Sequence, residues 1–216
     1  MTKNSTDTTY PVSNQFTMHF SPYEDRLIVR AMRRDGTEIN MLLTRRMVML
    51  VLQQLLGKLP ELTGLEKTPA VYWQEVLQMA HQGAMEAKVS ADKALTEDPK
   101  AAEQPPGLVP TDENRSSESV PRALFLATEL TTQISGEQLT LAFKGLIMPD
   151  AMTRASQPEP VFAMPLQVEN VHQLIELFID KCEQAKWHLP LELPWLETPG
   201  GDKPAGGSKK YSLLHH

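Results

Sequence analysis

Six arginines close together, Arg26, Arg30, Arg33, Arg34, Arg45 and Arg46, are the residues whose type and spacing point most directly to chemistry. A guanidinium presents a planar fork of N–H donors that fits phosphate or carboxylate oxygens two at a time. Arg26 and Arg30 alternate with Leu27 and Val29 at the period of a strand, so they share one sheet face with Ile28 and Met32. Arg45 and Arg46 follow Thr44 at the start of an apolar helical stripe, where the macrodipole disfavours cations. A bound phosphate would relieve that conflict, since backbone N–H groups and guanidinium forks would converge on it. The plainer reading pairs these arginines with Glu24, Asp25 or Glu38, or leaves them on a solvated sheet face. Both readings stand at this level. From Glu24 to Lys58 seven basic residues face four acidic ones, within a chain of formal net charge −6. That overall negative field works against broad binding to nucleic acid or to an anionic membrane.

The other reactive residue types are scattered. His19, His81, His172, His188, His215 and His216 lack the spacing of helical metal ligands, and no thiolate stands near them in sequence. His172 reads as lying on the solvent side or the margin of its helix. Cys182, the single cysteine, reads as a small buried hydrophobe. Its solitude excludes an internal disulfide and suits the reducing cytoplasm. Phosphate-loop, dinucleotide, zinc-protease and C-x-x-C motifs are absent. The expectation is a chain with no catalytic residue, no cofactor and no metal.

The elements that must position these residues are clearest from Glu24 to Lys58. Asp35-Gly36 between two apolar runs predicts a hairpin with a type I′ turn. Ile39, Met41 and Leu43 then alternate along a half-buried strand. The period next changes to that of a helix, with Val48, Val51, Leu52, Leu55, Leu56 and Leu59 on one stripe. Thr44 is placed to cap that helix, and Gly57 or Pro60 to end it. An offset of 123 residues sets Val48 over Val171, Val51 over Leu174, Leu52 over Ile175 and Leu55 over Phe178. The preceding strand matches as well, with Ile39 over Phe162, Met41 over Met164 and Leu43 over Leu166. Upstream lie strands at Phe16 to Ser21 and Arg26 to Arg33 in one half, and at Ala123 to Thr132 and Glu137 to Gly145 in the other. The expected fold is α+β: two pseudo-repeated β-β-β-α units, each an antiparallel sheet followed by an amphipathic helix.

An extra helix starting at Thr68-Pro69 and a disordered linker separate the two units in this reading. The boundaries are a disordered arm at 1–14, the first unit with the extra helix at 15–88, the linker at 89–119, the second unit with an apolar extension at 120–197, and a disordered tail at 198–216. The N-terminus lacks the apolar core of a signal peptide, and the longest apolar run is far short of a membrane span, so a soluble cytoplasmic protein without a membrane partner is expected. Tyr72 and Trp73 are adjacent and cannot share one helical face, which predicts one in the core and one on a contact surface. Trp195 sits in an apolar extended segment, a further contact candidate. With eleven methionines as adaptable contact residues, these features point to protein partners, a homodimer among them.

Two strand-rich units, each closed by a helix and joined by a spacer, resemble in topology the PUR-repeat and Whirly-type binders of single-stranded nucleic acid. The resemblance lies in RLIVRAMRRDG followed by INMLLTRRMVMLVLQQLL, within Arg26 to Lys58, and in Leu124 to Trp187. It implies a second reading, in which the first sheet binds single-stranded nucleic acid through its arginines. Those families carry more strands per unit and an aromatic, basic sheet face, whereas only the first unit here is basic.

Overall fold

A computed structural model describes residues 9–97, 123–190 and 193 of the chain. Trp195, the tail, the start of the arm and most of the expected linker lie outside the described residues. The chain is α+β. Strands β1 (Ser13–Ser21), β2 (Arg26–Arg33) and β3 (Glu38–Leu43) lead into α1 (Arg45–Leu62). Two single 3₁₀ turns, Leu65–Lys67 and Ala70–Tyr72, precede α2 (Trp73–Glu97). Then come β4 (Ala123–Ser135), β5 (Gln138–Met148), the single-turn α3 (Asp150–Thr153), β6 (Glu159–Gln167) and α4 (Val168–Gln184).

β1, β2 and β3 form an antiparallel meander in which Phe16, Ala31 and Ile39 fall in line, as do Met18, Val29 and Met41. All six are buried, the face that the period-two alternation marks. Each large side chain removed from water there contributes about 1.5–3 kcal/mol. The β2–β3 turn is not the expected type I′. Gly36 alone takes a positive φ, of 82°, while its amide donates to Arg33 O at 2.9 Å and the Arg33 amide to Thr37 O at 3.0 Å. That is a type I turn extended by one glycine bulge. Asp35 Oδ1 accepts the Thr37 amide at 2.9 Å, and this bond holds its carboxyl below the ordinary range.

The sheet does not stop at β3. Six strands run in the order β1-β2-β3-β4-β5-β6, and β3 lies parallel to β4, Ile39 opposite Ala123 through Leu42 opposite Leu126. The expectation of a separate antiparallel sheet in each half is therefore corrected to one continuous mixed sheet. The reason is physical: β3 would otherwise present a row of unpaired backbone groups along its second edge. Strands buried on both faces lose their alternation. In β3, Met41, Leu42 and Leu43 are all buried, and in β6 the run Val161, Phe162, Ala163 and Met164 is buried throughout.

The residues just before β1 also reach β6. Val12 forms a parallel bridge with Ala163, and the Ala163 amide donates to Pro11 O at 2.8 Å. On its other side the Arg34 amide donates to Val12 O at 3.0 Å, and the Ser13 hydroxyl to Met32 O at 2.7 Å. The first and last strands of the order thus meet at Val12. Phe143 of β5 and Phe162 of β6 meet with their rings tilted by 38° and their centroids 5.4 Å apart.

The chain divides into two compact units that interleave along the sequence. One takes in β1, β2, β3 and most of β4, β5 and β6; the other takes in most of α1, then α2, the β4–β5 turn and α4. In the second unit the predicted α1 stripe is buried at Val48, Val51, Leu52, Leu55 and Leu59. Thr44 Oγ1 accepts the Met47 amide at 3.3 Å, which is the expected cap. Pro60 does not end α1, which continues to Leu62, because a proline so near the C-terminal end disturbs few of its hydrogen bonds. α2 continues to Glu97 and packs along α4, where Gln173 Nε2 donates to Ala84 O at 3.2 Å. α4 closes with Lys186 at φ 54° and the Trp187 amide bonded to Cys182 O at 2.9 Å, a left-handed C-cap.

Candidate contact surfaces

Strand register sets where the arginines stand. Arg26 pairs with Ser21 and Leu27 with Leu43, so Arg26 shares one end of the meander with Arg45 and Arg46 at the start of α1. Arg33 and Arg34 occupy the other end, at the β2–β3 turn. Seven residues of extended chain hold the two groups about 23 Å apart. Arg30 stands between them, exposed, with Thr17 on one neighbouring strand and Asn40 on the other. The six do not form one patch.

Their environments differ as well. Arg33 is half-buried and donates to Val161 O through Nε at 3.1 Å and Nη2 at 2.7 Å, so its guanidinium ties β2 to β6. Arg34 is exposed and contributes its backbone amide to the Val12 contact. Arg45 and Arg46 are exposed in the first turn of α1, which carries no acidic residue. The turn before β2 supplies carboxylates at the same end of the meander, with Glu24 accepting from the Ser21 hydroxyl.

Neither Tyr72 nor Trp73 lies in the core, so the expected division is only one of degree. Trp73 is half-buried with Nε1 donating to Thr68 O at 2.8 Å, while Tyr72 is 53% exposed. The sequence places Met79 or Ala80 on an apolar stripe with Val76 and with Val71 or Tyr72, and Met79 is 57% exposed. Val76 and Met79 are one turn apart on α2, and Tyr72 stands in the 3₁₀ turn just before it. The signal was legible: α2 has a second apolar face besides the one that buries Leu77 and Ala84.

Sequence reasoning also misplaced His172. It is completely buried rather than on a solvent margin, with its ring centroid 5.5 Å from that of His81 on α2. His81 Nε2 lies 3.4 Å from Glu176 Oε1, one turn further along α4. Burial, and then the neighbouring His81, push the His172 pKa down to about 4; burial lowers that of His81. Cys182 is buried as expected. Among the described residues no group of three or more His, Cys, Asp or Glu is arranged to hold a metal ion, and no helix is long and apolar enough to cross a membrane. Comparison with protein families, with curated proteins and with solved structures returned no match to this chain.

Proposed function

We propose that this chain is a non-catalytic binding and assembly protein that acts through protein–protein contacts, with α2 as its contact element. The observation that carries the reading is the apolar surface of Val76 and exposed Met79 on α2 together with exposed Tyr72 in the 3₁₀ turn that leads into it, while the same helix buries Leu77 and Ala84. Tyrosine and methionine are the residue types that anchor such contacts, one rigid and one adaptable. Separation of the arginines into two ends favours this over a polyanion-binding sheet, which needs its cations on one continuous track. A soluble cytoplasmic setting fits the single buried cysteine. We also read the two strand-strand-strand-helix halves as copies of one module: Ile39 and Phe162 stand on the third strand of each, and the matched helix positions Val48 and Val171, Val51 and Leu174, and Leu52 and Ile175 are all buried.

The test is capture from native lysate with the wild-type chain and with a Tyr72→Ser, Met79→Ser double variant, followed by mass spectrometry and by sedimentation for self-association. Loss in the variant of a specific captured protein, or of a dimer, supports the reading. Identical capture by both chains, together with salt-dependent binding of a labelled single-stranded oligonucleotide by the wild type, would replace it with the nucleic-acid reading.

A further inference from the structure

α2 buries Leu77 and Ala84, whereas Glu75, Met79, Gln82, Glu86, Val89 and Lys93 are all exposed along it. These six follow one another at intervals of four, three, four, three and four residues. That alternation draws a straight seam along a helix that wraps against another helix. At about 100° per residue the seam points about 170° away from Leu77 and Ala84. Gln173 of α4 reaches Ala84 O and Glu176 of α4 reaches His81, so α4 occupies the other side. Met79 and Val89, the two apolar members of the seam, are 57% and 53% exposed.

The chemistry of the seam is complementary to its own reverse. A second α2 laid antiparallel, with the twofold axis level with Ala84, sets Glu75 against Lys93, Met79 against Val89 and Gln82 against Glu86. Opposite charges meet, two apolar side chains meet, and an amide donates to a carboxylate. The twofold axis makes each of these contacts twice. A parallel second copy would set each residue against itself, so Glu75, Glu86 and Lys93 would each face a like charge.

We infer that α2 is a self-association helix, through which two copies of this chain pair antiparallel along the Glu75 to Lys93 seam. This pairing rests on α2 being the contact element proposed above, and it makes the partner a second copy. The seam is about 27 Å long, or about five turns. Each chain contributes only Met79 and Val89 as apolar contacts, so the dimer is weak and concentration-dependent. Its charges fix the orientation more than the strength.

Sedimentation equilibrium of the full chain at about 0.15 M salt, from micromolar to millimolar concentration, reads the association. Expected is a reversible dimer in the wild type. Glu75→Lys and Lys93→Glu should each weaken it about tenfold, because two attractive pairs become repulsive. Mixing the two variants should restore it, since each reversed charge then meets its opposite on the other chain. Both positions are exposed, so neither variant disturbs the core. Orientation is read by oxidation: Met79→Cys mixed with Val89→Cys should cross-link, and neither should cross-link to itself, with Cys182 buried. A wild type that is monomeric throughout overturns the self-pairing. So does a dimer indifferent to both charge reversals, or a Met79→Cys chain that cross-links to itself. If the wild type is monomeric but the Tyr72→Ser, Met79→Ser variant still loses a different captured protein, the self-pairing falls and α2 remains the contact element. Monomeric wild type with identical capture by both chains overturns the two readings together.

Discussion

Replacing Arg33 by glutamine should cost more stability than its position near a hairpin turn suggests. Two of its N–H groups converge on Val161 O, at 3.1 and 2.7 Å, and Val161 is completely buried. A hydrogen bond from a charged donor is worth about 1.5–3 kcal/mol net. Because both donors share one acceptor, the pair counts as little more than one such bond, giving about 2–3 kcal/mol for Arg33→Gln. Lysine, a point charge without the fork, should recover about half of this. In urea unfolding, with a slope near 2 kcal/mol per molar, the glutamine variant should lower the midpoint by about 1–1.5 M. Hydrogen exchange at the Ala163 amide, which bonds to Pro11 O, should accelerate in parallel, because the same seam is loosened. A glutamine variant within about 0.5 kcal/mol of the wild type, with Ala163 equally protected, would refute the claim that Arg33 ties the two strands together.

Arg45→Gln with Arg46→Gln should shift stability by no more than about 1 kcal/mol, since both side chains are exposed; a thermal scan checks this. Gly145→Ala should cost about 1–3 kcal/mol by overpacking, because a Cβ there would lie 2.8 Å from Leu126 O and 3.1 Å from Val161 Cγ2; urea unfolding measures it. Trp73→Phe keeps the ring's apolar body but loses the bond to Thr68 O, which should lower stability by about 0.5–1.5 kcal/mol in the same assay.

Local periodicity carried the elements but not how they join. Ile39, Met41 and Leu43 on β3, and Val48, Val51, Leu52, Leu55 and Leu59 on α1, are buried where their spacing placed them, with Leu56 at the half-buried margin, because a strand and a helix each bury one face at a fixed period. The parallel β3–β4 pairing left no such trace. Its partners are far apart in sequence, and parallel pairing uses no tight turn that residue types could announce. His172 was misjudged for a related reason. One packing partner would bury a narrow stripe through Val171, Leu174 and Ile175; α2 lies against α4 as well, widening the buried arc to take in His172. For the arginines, sequence supplied the inventory, whereas the register of β2 supplied the distances that divide it.

The order of the strands has a consequence for a chain made from its N-terminus. β3 is finished at Leu43, but its neighbour β4 begins only at Ala123, roughly 80 residues later, or about 4–16 s of synthesis at 5–20 residues per second. Through that interval the first hairpins emerge with the β3 edge unpaired, and Pro11 and Val12 wait longer still for Ala163. A nascent edge of that kind can pair with another chain. Slowing the ribosome between α2 and β4 should therefore lower the yield of folded protein, while refolding the finished chain, which has both partners present from the start, escapes this hazard.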